Sequence, residues 1–303
     1  MYNTYLKIII TSLIFIFSCS TKAKEIQKWD ESVEITDKET FFVENFADGF
    51  EVPWGIAFLP NDDLLVSDRN GTLWRINKKG NRKEKISGVP EVRYKGQGGL
   101  LDIQIHPNFV TNKYVYISYS DFLPHKKNKS FTSIIRAKLK NNDLINPKII
   151  YKADEKFYTS SKVHYGTRII FDKENYLYFS IGDRGKREEA QSLKTPNGKI
   201  HRLNDDGSIP EDNPFVNQKG AVKSIWTYGN RNPQGLAINP KSSIIYESEH
   251  GPKGGDELNI LSKGNNYGWP EITYGKNYTG TKITNYTHKD GMEQPIIHWT
   301  PSI

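Results

Sequence analysis

The stretch PWGIAFLP, residues 53–60, is followed by DLLVSD at 63–68 and by GTLWRI at 71–76. It reads as a strand containing a glycine, a Pro/Asn/Asp turn and two further strands rich in β-branched and aromatic residues. The same pattern returns three times: GGLLDIQIHP (98–107) with KYVYISYS (113–120), GTRIIFD (166–172) with YLYFSIGD (176–183) and GKIHRL (198–203), and PQGLAINP (233–240) with IIYESE (244–249) and ELNIL (257–261). Repeated strand–turn–strand units without an amphipathic helix between them predict an all-β fold, a β-propeller.

The number of units limits the size of the propeller. Four clear units and an additional strand at TFFVENF (40–46) predict four to five blades within residues 40–303. The blades of a propeller bury their faces against neighbouring blades, and loops from several blades meet at the central channel. The sequence stops at WTPSI (299–303) without a closing strand. We therefore expect a truncated sequence and an incomplete ring.

Composition supports a folded domain and gives little evidence for a nucleic-acid partner. The 303 residues are 36% hydrophobic and 12% aromatic, enough for one large domain or two small ones. The formal net charge is +7, but the lysines are scattered among asparagines and acids and form no long basic run. A solvated basic surface is the simplest interpretation, and we predict no nucleic-acid binding.

The N-terminus has the pattern of an export signal. KIIITSLIFIFSC (7–19) places one lysine before an apolar run too short for a comfortable membrane span. We assign residues 1–19 to an export signal and 20–39 to a linker. Cys19 is typical of a lipid-bearing lipoprotein cysteine, and the alternative is ordinary cleavage near Ala23. Cys19 is the only cysteine, so an intramolecular disulfide is excluded and a mature domain beginning after it has no catalytic thiol.

Polar residues precede the glycines that open the repeats. His164, in KVHYGTR (162–168), is a candidate proton acceptor at the mouth of the channel, although a lone histidine is more often a structural residue. Residues 94–97 precede Gly98 in a similar way. Arg231 and Asn232 offer a planar cation and an amide, which suit the oxygens of a flat ligand. The alternative for Arg231 is a structural contact between blades.

The loop EHGPKGGDELN (249–259) combines glycines with acids. Such a loop could surround a hard cation such as calcium with carbonyl and carboxylate oxygens, although it lacks the spacing of an EF-hand. From the residues alone, a metal site and an ordinary glycine-rich turn both remain open.

Six motifs in order resemble those of the soluble aldose dehydrogenases that depend on pyrroloquinoline quinone (PQQ), in the glucose/sorbosone dehydrogenase family. They are GQGGLLD (96–102), HYGTR (164–168), GDRG (182–185), GNRNPQG (229–235), EHGPKGGDELN (249–259) and NYGWP (266–270). The resemblance runs from about residue 40 to the last residue. It implies a propeller of six four-stranded blades, with the quinone lying over the channel.

The resemblance also implies roles for individual residues. His164 matches the general base that takes the proton of the sugar's anomeric hydroxyl while hydride passes to the quinone. Arg231 and Asn232 match residues that bind the quinone oxygens, with Arg231 stabilising charge during reduction, and Gln97 matches another cofactor contact. The remaining correspondences are calcium ligands: the backbone carbonyls of Gly251 and Pro252 for a catalytic ion, and Glu257 with the carbonyl of Tyr267 for a structural ion.

The implied activity is oxidation of an aldose, with electrons passing to a separate acceptor. Membrane attachment is expected only through a lipid on Cys19, and we expect a periplasmic or outer-membrane-anchored protein. Basic residues that hold the cofactor in the family's last blades lie beyond residue 303, so we expect these 303 residues to bind PQQ poorly. Two other functions stay open: a calcium-dependent propeller lactonase, and a non-catalytic binding propeller at the cell surface.

Overall fold

The computed structural model describes residues 31–35 and 40–302, in two compact units that divide after Asp48. In the first unit, β1 (Glu31–Ile35) and β2 (Thr40–Glu44) form a two-stranded antiparallel sheet. β1 lies in the segment that the sequence analysis assigns to a linker. Residues 1–30, with the predicted export signal and Cys19, lie outside the described residues. No helix in the described part is both long and apolar enough to span a membrane.

The second unit, from Gly49, consists of four antiparallel sheets of four strands each, the blades of a β-propeller. The all-β prediction and the four-stranded blades are confirmed. Blade 1 contains β3 (Pro53–Phe58), β4 (Leu64–Asp68), β5 (Thr72–Ile76) and β6 (Lys83–Ile86); blade 2 contains β7 (Leu100–Ile105), β8 (Tyr114–Leu123), β9 (Lys126–Lys140) and β10 (Asp143–Tyr151). Blade 3 contains β11 (Ile169–Phe171), β12 (Leu177–Ile181), β13 (Lys199–Leu203) and β14 (Ile225–Tyr228); blade 4 contains β15 (Pro233–Ile238), β16 (Ile245–Glu249), β17 (Asp256–Leu261) and β18 (Ile297–Trp299).

Helical structure in the described residues is short. α1 (Phe109–Asn112) lies between β7 and β8, and 3-10 turns occupy Glu155–Phe157 and Arg187–Gln191. In every blade, strands that are consecutive in sequence are antiparallel neighbours in the sheet, which is a meander, although long loops separate β13 from β14 and β17 from β18. Each repeat of the sequence therefore folds as one blade.

The hydrophobic core is divided among the interfaces between blades. Blades 1 and 2 share a cluster with Leu65, Leu100 and Ile117, and blades 2 and 3 share a second cluster. A third cluster, which includes Ile200 and Leu236, joins blades 3 and 4. Full burial of one such side chain contributes about 1.5–3 kcal/mol. The relative placement of the inner strands thus depends on packing between successive blades.

Polar contacts near the inner strands add to this packing. Asp102 on β7 accepts hydrogen bonds from Arg168 Nη1 (2.6 Å) and from the backbone N–H of Ile169 (2.7 Å). Arg168 Nε donates to the carbonyl of Gln234 on β15 (3.1 Å). A side chain at Gly55 on β3 would collide with Asp102. These contacts connect all four inner strands and fix the starting points of the loops that precede them.

Candidate active site

The structure brings six of the predicted site residues together around one cavity of about 270 Å³. They are Gln97, His164, Arg231, Asn232, Gly251 and Pro252. The first four precede the inner strands of blades 2, 3 and 4, and the last two follow β16. Loops that precede neighbouring inner strands emerge at the same end of the propeller, which is why residues far apart in sequence meet here.

His164 is held through both its backbone and its ring. The side-chain oxygen Oε1 of Gln97 accepts the backbone N–H of His164 at 2.6 Å. The ring atom Nδ1 lies 2.6 Å from Oδ1 of Asp183, the residue that follows the end of blade 3's second strand by two positions. The His164 side chain is 14% exposed and reaches the cavity. It is therefore fixed in direction but open to a ligand.

Asp183 sets the tautomer of this histidine. Burial disfavours the Asp183 charge, but hydrogen bonds from His164, the Gly185 N–H (2.7 Å) and the Trp269 indole N–H (2.9 Å) hold the pKa of Asp183 below its usual value. An ionised carboxylate only accepts hydrogen bonds, so Nδ1 of His164 carries the proton. Nε2 of the neutral ring is left with a lone pair, as a general base requires.

Arg231 is buried beside the same cavity. Its Nη1 donates to the carbonyl oxygens of His250 (2.8 Å) and Gly251 (2.7 Å). Its Nε is buried without a hydrogen-bond partner among the described residues, and the guanidinium carbon lies 5.5 Å from the centre of the Trp269 ring. Arg231 also lines the cavity, where a guanidinium suits a ligand with carbonyl or carboxylate oxygens.

Asn232 and Glu249 organise the backbone next to Arg231. The side-chain oxygen of Asn232 accepts the N–H of Gly166 at 3.2 Å. Glu249 Oε2 accepts the backbone N–H of both Arg231 and Asn232. The amide and the guanidinium are consequently presented from a rigid turn, an arrangement that fits a flat ligand with several oxygens.

The glycine-rich loop brings backbone oxygens close to the cavity. A side chain at Gly251 would collide with the carbonyls of Gly254 and Gly255, so only glycine allows this loop to close on itself. Asp256 Oδ1 accepts the Gly251 N–H at 2.8 Å, and the Asp256 carboxylate also lines the cavity. The Gly251 carbonyl already accepts from Arg231, and a cation bound there would share this oxygen with the guanidinium.

A second, smaller cavity lies behind the first. With a volume of about 10 Å³, it has room for a single water or ion, and Glu249, Glu257 and Tyr267 line it. Burial, followed by the charge of Glu257, raises the pKa of Glu249 to about 8, and burial raises the pKa of Glu257 to about 7. Within the described chain, no three His, Cys, Asp or Glu side chains are close enough to hold a metal. The two carboxylates that line this cavity are nonetheless oxygen ligands of the kind that calcium prefers.

Two residues of the site were missed by the sequence analysis. Asp183 and Trp269 occur in the motifs GDRG and NYGWP, which carried the resemblance without a role for either side chain. The sequence does contain a signal for Asp183, because this residue comes just after a predicted buried strand in the repeat that begins at His164. Trp269 gave no comparable signal, since it lies 86 residues from its partner.

The fold is a β-propeller with a polar cavity beside His164, and residues 50–303 match the family described as glucose/sorbosone dehydrogenase. The chain belongs to this family. It is 40% identical over 270 residues to aldose sugar dehydrogenase YliI of Escherichia coli, covering 87% of this chain and 71% of the relative.

Two further similarities concern quinone enzymes. The chain is 34% identical to quinoprotein glucose dehydrogenase B of Acinetobacter calcoaceticus, covering 78% of this chain and 53% of that protein. It also resembles the structure of the PQQ-bound aldose sugar dehydrogenase of Streptomyces coelicolor, with a TM-score of 0.71 and 31% identity over 89% of this chain and 72% of that one. The chain therefore spans between about half and three quarters of these relatives.

Proposed function

We propose that this protein is a sugar dehydrogenase that uses PQQ and calcium to oxidise the anomeric carbon of an aldose to a lactone. The observation that carries the proposal is His164, which is paired with Asp183 and lines the same cavity as the buried Arg231. The family membership and the quinoprotein relatives support the same chemistry.

His164 acts as the base in this proposal. Its Nε2 lone pair accepts the proton of the sugar's C1 hydroxyl, and Asp183 stabilises the imidazolium that forms. When bound, PQQ supplies the acceptor for the hydride that leaves C1. The aldose thus loses one proton and one hydride and becomes the lactone, and a separate acceptor removes the electrons from the enzyme.

The other site residues bind and orient. Arg231 and Asn232 would hold the quinone oxygens, and Gln97 would contact the cofactor while it fixes the His164 backbone. The carbonyls of Gly251 and Pro252 would bind the calcium ion next to the cofactor. At the smaller cavity, Glu257 and the Tyr267 carbonyl would hold a structural calcium ion.

We place the protein outside the cytoplasm, in the periplasm or on the outer membrane. The apolar segment at 7–19 and Cys19 support export, with the lipid on Cys19 as the only membrane attachment. Globomycin treatment of expressing cells tests the anchor: a lipoprotein accumulates as its uncleaved precursor, whereas an ordinary signal is cleaved as before.

The activity is tested with purified full-length protein, PQQ and calcium, by following the reduction of an electron-accepting dye with a panel of aldoses. We expect His164→Gln to lose turnover by at least a thousandfold while PQQ still binds. The matched control is His125→Gln, since His125 is 55% exposed and lies outside the cavity. Turnover that survives in His164→Gln would contradict the base assignment, and lactone hydrolysis without dye reduction would favour a lactonase.

A further inference from the structure

We propose that Trp269 is a positioning residue that couples the base to the guanidinium. Its indole N–H fixes the Asp183 carboxylate, and its ring supports Arg231. The effect of this contact on catalysis rests on the proposed function. The coupling itself is a property of the polypeptide and can be measured without the cofactor.

The contact with Asp183 restrains the orientation of the carboxylate. Oδ1 accepts from His164 and Gly185, so the Trp269 indole is the side-chain donor on Oδ2 in the described structure. The carboxylate is almost completely buried, and an oxygen without a donor would be costly there. Without the indole N–H, tilting or partial rotation of the carboxylate away from its present plane becomes less unfavourable. The acceptor for His164 Nδ1 is then no longer fixed in place.

The contact with Arg231 involves the face of the same indole. The guanidinium carbon of Arg231 is 5.5 Å from the centre of the ring, within the range of a cation–π interaction. Trp269 also lines both the region of the site next to His164 and the small cavity that contains Glu257. One side chain therefore contacts both the Asp183 carboxylate, which orients the proposed base, and the Arg231 guanidinium, which would stabilise negative charge on the cofactor.

The backbone of Trp269 is held independently of its indole. Its N–H donates to the Gly229 carbonyl, and its carbonyl accepts from Gln191 Nε2, both at 2.8 Å. Gln191 is fixed in turn by hydrogen bonds to the Asn266 side chain. Trp269→Phe should consequently remove the N–H donor and retain an aromatic ring on an unchanged loop.

We expect Trp269→Phe to lower kcat about tenfold while the KM for sugar and the Kd for PQQ stay within twofold, because only the orientation of the base is disturbed. In the protein without cofactor, ¹H–¹⁵N NMR of the His164 ring should show a downfield Nδ1–H proton in the wild type, and in the variant that signal should move upfield or broaden because its acceptor is less well fixed. Trp226→Phe is the matched control. Trp226 Nε1 is buried without a partner in the described structure, and its ring packs on Arg202, so neither readout should change.

The reverse experiment does not require the Trp269 variant to fold. In the wild type, the indole N–H signal of Trp269 should lie downfield because it bonds a carboxylate, and Asp183→Asn should move it upfield. An unchanged indole signal would overturn the inference, as would Trp269→Phe with wild-type kcat and an unchanged His164 Nδ1–H signal. A variant that keeps kcat but binds PQQ more weakly would also overturn it, because Trp269 would then be a cofactor contact. If the NMR coupling is present but no sugar is oxidised by the wild type, the proposed function fails and the positioning contact remains.

Discussion

Replacing Asp183 with asparagine provides a sharp test of how the base is activated. Three donors converge on the carboxylate: His164 Nδ1 and the Gly185 N–H on one oxygen, and the Trp269 indole on the other. An asparagine side chain of nearly the same shape has one accepting atom and one donating atom. Its oxygen should face His164 and Gly185, because the opposite orientation would lose two hydrogen bonds instead of one.

The expected magnitude follows from this geometry. The amide nitrogen would face the Trp269 indole N–H, so that hydrogen bond is lost, and the bond from His164 would no longer reach an ionised acceptor. A hydrogen bond to a charged group contributes about 1.5–3 kcal/mol, and the two changes together should raise the barrier by about 3–4 kcal/mol. Since about 1.4 kcal/mol corresponds to a factor of ten, kcat should fall by roughly 10²–10³.

Steady-state dye reduction with the PQQ- and calcium-loaded protein measures this loss, and equilibrium PQQ binding separates it from loss of cofactor. Asp290→Asn is the matched control, because Asp290 is exposed. A fall in kcat of less than threefold in Asp183→Asn would refute the view that the carboxylate supports the base. A normal kcat with much weaker PQQ binding would instead mean that Asp183 organises the cofactor site.

Three further predictions concern stability. Lys199 Nζ donates to three backbone carbonyls of the 189–197 loop at 2.6–2.9 Å. Lys199→Met should therefore lower the free energy of unfolding by about 3 kcal/mol in urea titrations. An unchanged free energy of unfolding would contradict the view that Lys199 stabilises this loop. The pKa values of Glu249 (about 8) and Glu257 (about 7) are raised, so the two protonated carboxyl groups contribute stability that is present below pH about 4.5 and is lost as pH rises through 7 to 8. Calcium should therefore raise Tm more at pH 8 than at pH 5. An equal effect at both pH values would count against calcium binding at these two residues. Asp102→Asn removes the ion pair with Arg168 and should lower the free energy of unfolding by about 3–5 kcal/mol, whereas an unchanged Tm would show that packing alone orders the inner strands.

The propeller was predictable because the inner half of each blade has a distinct pattern, most clearly in the second strand. β4 and β12 are buried at every residue, and their apolar sequences LLVSD and LYFSI follow turns at similar positions in the repeat. The outer strands carry weaker signals. β6 has the sequence KEKI, and β10, the outer strand of blade 2, is exposed at most of its residues. A strand at the edge of a blade is only partly covered, so little in its sequence separates it from a loop.

The sequence predicts which residues form the site, but it does not predict the hydrogen bonds between them. His164 and Arg231 stand out because each precedes a glycine of the repeat, and they do share one cavity. The bond between His164 and Asp183 joins residues 19 positions apart on different loops of one blade, and its length depends on how the sheet twists. The pattern of a single sequence predicts which loops lie close together. Which atoms of those loops form hydrogen bonds is determined only by how the sheets pack.

The backbone at His164 shows how far the base depends on its surroundings. Its φ is +54°, a conformation that is uncommon for a residue with a side chain. Arg184 is fully buried and donates from Nη1 to the Val163 carbonyl and from Nη2 to the Ser161 carbonyl (2.9 Å), while Gln97 accepts the His164 N–H. The unfavourable backbone is thus maintained by side chains from a neighbouring loop and from blade 2. The positive φ of His164 is intrinsically unfavourable, and it directs the imidazole towards the cavity. Strained backbone conformations of this kind are often found at functional sites.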